Sequence, residues 1–261
     1  MCRDAHPIDD WGDERIAAYR DISNHEALRA RGLFVAEGRL VVKRLIEDDR
    51  FDVESILVTP AAHVMLSATF SQTRARVFVC APALVNSITG FNFHRGCLAL
   101  ARRPAVEPGV GALYGTNRLL VLEGVGNPDN VGGMFRSAFA LGAAGVVLDD
   151  RSADPLYRKA IRTSMAATLR VPFARAPLMD ALPLLRANGF QLIALTPSAD
   201  AVDVRDVKPS AKIALLLGSE GGGLSREALH YADLRARIAI DAAADSLNVS
   251  VAAGIALHAL R

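Results

Sequence analysis

Cysteine, tryptophan and charge imbalance are all scarce in this chain. Its 261 residues include only Cys2, Cys80 and Cys97. These are too scattered for a disulfide framework, and none forms a C-x-x-C pair beside a histidine cluster, so neither a stapled secreted fold nor a common zinc site is expected. Reduced thiols and no bound metal follow. Lys and Arg number 30 against 28 Asp and Glu, and counts on either side of residue 108 give 14 basic with 14 acidic, then 16 with 14. Neither half is a polycation, so any nucleic-acid contact must come from a local patch. Aromatics make up 6% of the chain, with one tryptophan, leaving few platforms for stacked bases. The longest apolar runs, such as VSVAAGIALHAL, fall short of a membrane span. The amino end, MCRDAHPIDDWGDE, is charged and lacks the apolar core of a secretion signal. A cytoplasmic protein without a membrane partner is expected.

What is present is a globular α/β rhythm, with 51% hydrophobic and 22% charged residues. Residues 102–117, RRPAVEPGVGALYGTN, combine two prolines and three glycines without periodicity, and read as a linker between domains at 1–106 and 114–261. Before it, short β-type runs at 33–37, 54–59, 76–81 and 96–102 alternate with helix-length segments at 38–48, 60–70 and 82–89, after a helical start near 12–30. This predicts a small α/β domain. After it, the runs at 119–123, 145–149, 190–196, 212–218 and 236–240 are continuously apolar, as parallel strands buried on both faces are. Helices are predicted at 130–142, 155–168, 178–188 and 247–260.

Two glycine-rich loops follow apolar strands, where open parallel sheets bind ligands. Gly124-Val125-Gly126 opens a dinucleotide-type fingerprint, but Asp129 stands where its third glycine belongs, and a carboxylate there opposes a pyrophosphate. Gly218-Ser219-Glu220-Gly221-Gly222-Gly223-Leu224-Ser225 has P-loop spacing, but Leu224 replaces the phosphate-binding lysine and Glu220 adds negative charge. A neutral or cationic ligand suits both loops better than a phosphate. A third segment, IAIDAAADSLNVSVAAG, makes a polar turn through Asp245, Ser246 and Asn248 before a helix of small residues. Each loop alone reads as ordinary turn chemistry, with Asp129 and Ser246 as helix N-caps.

Taken in order, NPDNVGGMFRSAFALGAAGVVL, LLLGSEGGGLS and SLNVSVAAGIALH resemble the three motifs of the SpoU (TrmH-type) RNA ribose 2'-O-methyltransferases of the SPOUT superfamily, over most of residues 117–261. The amino half, with RARGLFVAEGRLVVKRL and GCLALARR, resembles the L30e-like substrate-binding domain that often precedes the catalytic one. The resemblance implies an α/β fold: a carboxyl-terminal parallel-sheet SPOUT domain with a trefoil knot, preceded by a smaller L30e-like α/β domain. It also implies S-adenosyl-L-methionine as methyl donor, structured rRNA or tRNA as substrate, and a homodimer with active sites at the subunit interface. By that resemblance Asn130, Arg136, Glu220, Ser246 and Asn248 are the catalytic set, and Leu217, Gly218, Ile240, Leu247 and Val249 cradle the cofactor. Two departures stand out. The family's proline and glycine before the Ser-Leu-Asn are here Ala239 and Ala242, and Ala166 stands where relatives commonly carry glycine; a Cβ at Ala242 would weaken the donor cradle if that position required positive φ or close approach of the cofactor.

Methyl transfer from a sulfonium to a hydroxyl needs orientation and handling of one proton, because the donor is already activated. The family places Arg136 there as general base. A guanidinium stays protonated at any working pH, which favours electrostatic stabilisation of the developing alkoxide. For RNA, Arg29, Arg31, Arg39, Lys43 and Arg44, and beyond the first motif Arg158, Lys159, Arg162 and Arg170, form basic clusters. Phe91, Phe93 and His94 are the one compact aromatic group before the linker. Recognition by backbone and shape, with salt-dependent affinity, is expected. Two other readings remain open: a non-catalytic RNA-binding module of the same fold, and a SPOUT enzyme that methylates a base.

Overall fold

The computed structural model describes residues 5–20, 22–48, 50–89 and 96–261. The chain divides into two compact units, one running to Ala105 and including Leu156–Ala166, the other comprising Val106–Pro155 and Ala167–Arg261.

In the first unit, β1 (Ala5–Ile8), β2 (Leu33–Glu37), β3 (Val53–Val58), β4 (Arg76–Cys80) and β5 (Cys97–Arg102) form a mixed sheet in the order β1-β4-β3-β5-β2. β4 pairs in parallel with β1 and β3, while β5 runs antiparallel to β2 and β3. Helices α1 (His25–Ala30), α2 (Arg39–Ile46), α3 (Pro60–Phe70) and α4 (Pro82–Thr89) connect the strands. Ile16, Tyr19, Leu57, Phe78 and Leu98 share a buried core, and the Tyr19 hydroxyl lies 2.9 Å from Ser55 Oγ, which satisfies the one polar atom such a side chain takes inside.

The predicted helix at 155–168 is shorter than expected. α6 (Arg158–Thr163) belongs to the first unit, and its regular path stops because Met165 and Ala166 adopt left-handed φ values of 53° and 69°. The Ala166 N–H then donates to the Ile161 carbonyl at 3.0 Å, closing the helix as a glycine commonly does. A short 3-10 turn, Ala167–Leu169, follows in the second unit.

The second unit is built on β6 (Arg118–Glu123), β7 (Gly145–Leu148), β8 (Phe173–Arg175), β9 (Gln191–Leu195), β10 (Val202–Asp203), β11 (Ile213–Gly218) and β12 (Leu234–Arg237), in the order β10-β12-β9-β11-β6-β7-β8. Every neighbouring pair is parallel. Alternate residues serve two cores: Leu120, Leu122, Leu215 and Leu217 pack with α5 (Pro128–Leu141) and α9 (Val249–Ala259), while Leu119, Val121, Ala214 and Leu216 pack with α7 (Leu178–Ala187) and α8 (Arg226–Tyr231). Burial on both faces is why these strands read as unbroken apolar runs. The short β1, β8 and β10 and the helix α8 carry too little pattern to be read from sequence. The predicted strand at 236–240 lies instead at 234–237, where Leu234, Arg235 and Ala236 pair with Ile193, Ala194 and Leu195.

The helices that follow the first glycine loop and the polar third segment are capped by asparagine rather than by the expected Asp129 and Ser246. Asn127 accepts from the Asp129 N–H, and Asn248 accepts from the Ser250 and Val251 N–H groups. α5 and α9 meet through small residues: a Cβ on Gly133 would sit 2.9 Å from the Ser250 side chain, and one on Gly254 would sit 3.2 Å from Ser137 Oγ. This close approach brings the start of α9 against the start of α5.

Candidate functional site

A cavity of about 580 Å³ opens at the carboxyl ends of β9, β11 and β12, the end at which open parallel sheets take ligands. Its apolar wall includes Leu195, Leu217, Leu224, Leu229, Ile238, Ile240, Leu247 and Val249, and its glycine wall runs from Gly218 to Gly223. All five expected cradle residues, Leu217, Gly218, Ile240, Leu247 and Val249, line it, as do Glu220, Ser246 and Asn248. Thr196 and Pro197, at the exit of β9, also line it and were missed by sequence reasoning. Their only sequence signal is their place after a buried strand.

Two features restrict what fits there. Glu220 is the only charged side chain among the lining residues, so the cavity has no cation for a phosphate and suits a neutral or positively charged ligand of small-molecule size. Gly218 must be glycine, because a Cβ there would lie 2.0 Å from the Gly223 carbonyl carbon. The loop doubles back at that point, with the Gly223 N–H donating to the Ser219 carbonyl at 2.9 Å.

The three sequence motifs meet through side-chain amides. Asn130, buried on α5, donates from Nδ2 to Glu220 Oε1 at 2.5 Å. Asn248 Nδ2 donates to Asn130 Oδ1 at 2.9 Å and to Glu220 Oε1 at 3.1 Å. Asn248 Oδ1 meanwhile accepts from Ser250 Oγ at 2.7 Å and from the first N–H groups of α9. One side chain thus caps a helix and joins the first loop to the second. Ser246 lines the cavity beside this triangle and is exposed.

The first loop is held from below. Asp149 Oδ1 accepts from the Gly124 N–H at 2.9 Å, the Ser152 N–H at 3.0 Å and Ser152 Oγ at 2.6 Å, and Arg151 Nε donates to its other oxygen at 3.0 Å. Burial pushes the Asp149 carboxyl up, but the bonds from Ser152, Gly124 and Arg151 outweigh it and hold the group below the usual carboxylate range. Ser152 Oγ in turn accepts from the Val125 N–H at 3.1 Å.

Arg136 does not line the cavity. It is exposed on α5, on the side that also carries Phe139, 51% exposed. α9 presents Val251 at 50% and Ile255 at 40% exposure, an i, i+4 apolar pair on its outer face.

Of the arginines expected to contact RNA, Arg29, Arg31 and Arg39 are exposed, and Arg39 lies against Met65 Sδ. Arg158 and Arg162 sit 2.6 Å and 3.6 Å from the buried Glu37 carboxylate, so part of their charge is balanced within the first unit. Arg44 donates to the Met165 carbonyl, Lys43 pairs with Glu47 at 3.7 Å, and the Arg170 guanidinium lies 5.8 Å from the Phe139 ring centre. Lys159 is half-buried on α6. Phe91, Phe93 and His94 lie outside the described residues. The φ of Ala242 is not positive, so its Cβ does not oppose a left-handed backbone; the left-handed alanine is Ala166. Among the described residues no cluster of three or more His, Cys, Asp or Glu side chains could hold a metal, and no helix is long and apolar enough to cross a membrane.

Known proteins share this sequence pattern and fold. Residues 117–258 match the model of the SpoU rRNA Methylase family. An uncharacterized tRNA/rRNA methyltransferase of Mycobacterium bovis is 35% identical over 98% of this chain and 91% of its own length. The 23S rRNA (guanosine(2553)-2'-O)-methyltransferase RlmP of Bacillus subtilis is 24% identical over 97% of this chain and 98% of its own. The crystal structure of an AdoMet-bound rRNA methyltransferase from Sinorhizobium meliloti shares the fold with a TM-score of 0.84, covering 98% of this chain and 97% of that one at 24% identity. The chain belongs to the SpoU methylase family.

Proposed function

We propose that this SpoU family member is an S-adenosyl-L-methionine-dependent RNA methyltransferase that modifies a ribose 2'-hydroxyl of rRNA or tRNA. The observation that carries the reading is the Asn130–Glu220–Asn248 triangle at the rim of a cavity with apolar walls and no cation. The donor set fits the cofactor: Leu217, Ile240, Leu247 and Val249 offer an apolar slot for a nucleoside, Gly218 and its neighbours offer main-chain groups, and Glu220 supplies the only charge, of the sign a sulfonium tolerates. When bound, S-adenosyl-L-methionine brings a methyl group already activated by its positive sulfur.

The chain's own task is then to hold the ribose and stabilise its oxygen, which takes the methyl group from the sulfur as the hydroxyl proton passes to solvent. Asn130 and Asn248 keep each other and Glu220 in one orientation, so Ser246 is left to meet the target nucleotide. Arg136 acts as a fixed cation, steadying the developing alkoxide and a neighbouring phosphate. Its exposure on α5, which also carries the exposed Phe139 and packs against α9 with its exposed Val251 and Ile255, supports a homodimer that closes over these helices and completes the site around Arg136. The first unit is read as an L30e-like domain that selects the RNA through Arg29, Arg31 and Arg39, with Arg158 and Arg162 at its margin. The carboxyl-terminal segment is read as threaded into a trefoil knot. The RNA substrate places the protein's work in the cytoplasm.

The test is incubation of the purified protein with labelled donor and RNA, followed by nucleoside mass spectrometry. A 2'-O-methylated nucleoside is expected, with Arg136→Ala abolishing transfer while donor binding by calorimetry persists. Label on a base nitrogen, or near-normal methylation by Arg136→Ala, would overturn the assignment.

A further inference from the structure

On the side of the sheet ends away from the donor cavity, the buried carboxylate of Glu123 makes two contacts. Its Oε2 accepts from the Ser225 N–H at 2.8 Å, and its Oε1 accepts from Arg151 Nη2 at 3.3 Å. Arg151 also bonds Asp149 Oδ2 at 3.0 Å, and Asp149 holds the Gly124 N–H at 2.9 Å. One clasp therefore joins three loops: the one leaving β6, the one leaving β7, and the far end of the glycine loop leaving β11. Neither Glu123 nor Arg151 lines the donor cavity.

The glycine loop needs such an anchor. A Cβ on Gly221 would meet open space and one on Gly222 only Ser219 Oγ at 3.4 Å, and glycines lose more freedom on ordering than any other residue. The loop is tied at its base by Ser219 and Gly223, and Ser225, two residues past Gly223, caps α8. We infer that Glu123 is a positioning residue for methyl transfer: by fixing Ser225 it holds the Gly218–Gly223 wall and Glu220 in the shape that binds the donor. The inference rests on the methyltransferase reading. Its physical basis is that a charge-assisted bond from a part-buried backbone N–H to a buried carboxylate is stronger than the neutral or water-made bond that replaces it once the carboxylate is removed.

Glu123→Gln is the informative variant, since it keeps the volume but can accept with only one oxygen and turns an N–H towards Arg151. The holoprotein assay measures donor KM, RNA KM and kcat for wild type, Glu123→Gln and Glu123→Ala, with donor affinity by calorimetry and hydrogen exchange over residues 219–225. For Glu123→Gln, donor KM and Kd are expected to rise about tenfold, with kcat at saturating donor and RNA KM little changed. Exchange in the loop should quicken while α5 stays protected. Glu123→Ala should go further in the same direction; if it fails to fold, Glu123→Gln alone decides. Donor affinity for Glu123→Gln within twofold of wild type, or a fall in kcat with unchanged donor KM, would overturn the inference. A wild-type protein that binds no donor would instead overturn the methyltransferase reading itself.

Discussion

Asn248 performs two separable tasks, and Asn248→Asp pulls them apart. Its Oδ1 caps α9, a role that aspartate fills as well as asparagine and that alanine loses at about 1 kcal/mol. Its Nδ2 joins Asn130 Oδ1 and Glu220 Oε1 at 2.9 Å and 3.1 Å, a role that aspartate reverses by presenting a second carboxylate. Unit charges at 3.1 Å repel by about 1.3 kcal/mol in a water-like medium and about 5 at an effective dielectric of 20. Both side chains are exposed, so a cost near the lower figure is expected. Loss of the N–H to the buried Asn130 oxygen adds about 1 kcal/mol. Asn248→Asp should therefore lose roughly 2–3 kcal/mol, comparable to Asn248→Ala, although it keeps the cap. Urea unfolding at pH 7 measures both variants. Added salt should return part of the loss for Asn248→Asp and none for Asn248→Ala, because only the first involves like charges. If Asn248→Asp is as stable as wild type at low salt, Asn248 is a helix cap and nothing more, and the joining of the motifs through it is wrong.

Ala166 offers a second test. At φ 69° a left-handed alanine carries about 1–2 kcal/mol of strain, against which glycine loses about 0.4–1 through the unfolded chain and about 0.8 for the buried methyl. Ala166→Gly should thus melt close to wild type, whereas Ala138→Gly, at a buried α5 position, should lose more than about 1 kcal/mol; equal losses would remove the strain argument. Asp149 sets a pH dependence. Its carboxyl lies below the usual range, so its contribution is complete above the unfolded value near about 4 and is lost as pH falls through the folded one. Asp149→Asn should be less stable than wild type at pH 7 in chemical unfolding, with the gap closing in acid; a gap that is the same at pH 3 would contradict the bonding described.

The separation between what composition reveals and what folding adds can be followed residue by residue. Strands such as Leu33–Glu37 and Arg118–Glu123 were legible because local pattern and burial coincide. β8 and β10 were not, because a strand of two or three residues exists only through its neighbour in the sheet. Arg136 was readable as a motif residue, yet its separation from the cavity was not, because helix phase relative to the core is settled by which face packs. The left-handed backbone that sequence raised for Ala242 lies instead at Ala166, since the sign of φ is set by the path the chain must take.

By itself the order of residues determined the three motifs, the parallel sheet and the sign of charge a ligand would meet, because each rests on spacing and side-chain type along a short stretch, and resemblance to the family pointed to five positions that line the cavity. Tertiary structure alone decided that Asn130, Glu220 and Asn248 touch, that Asn127 and Asn248 rather than Asp129 and Ser246 cap their helices, and that Glu123 reaches Ser225. Those contacts span from about thirty to more than a hundred positions of chain, or turn on a single residue's dihedral angles, and only packing of the small-residue faces of α5 and α9 and the registry of parallel strands brings such partners within hydrogen-bonding distance.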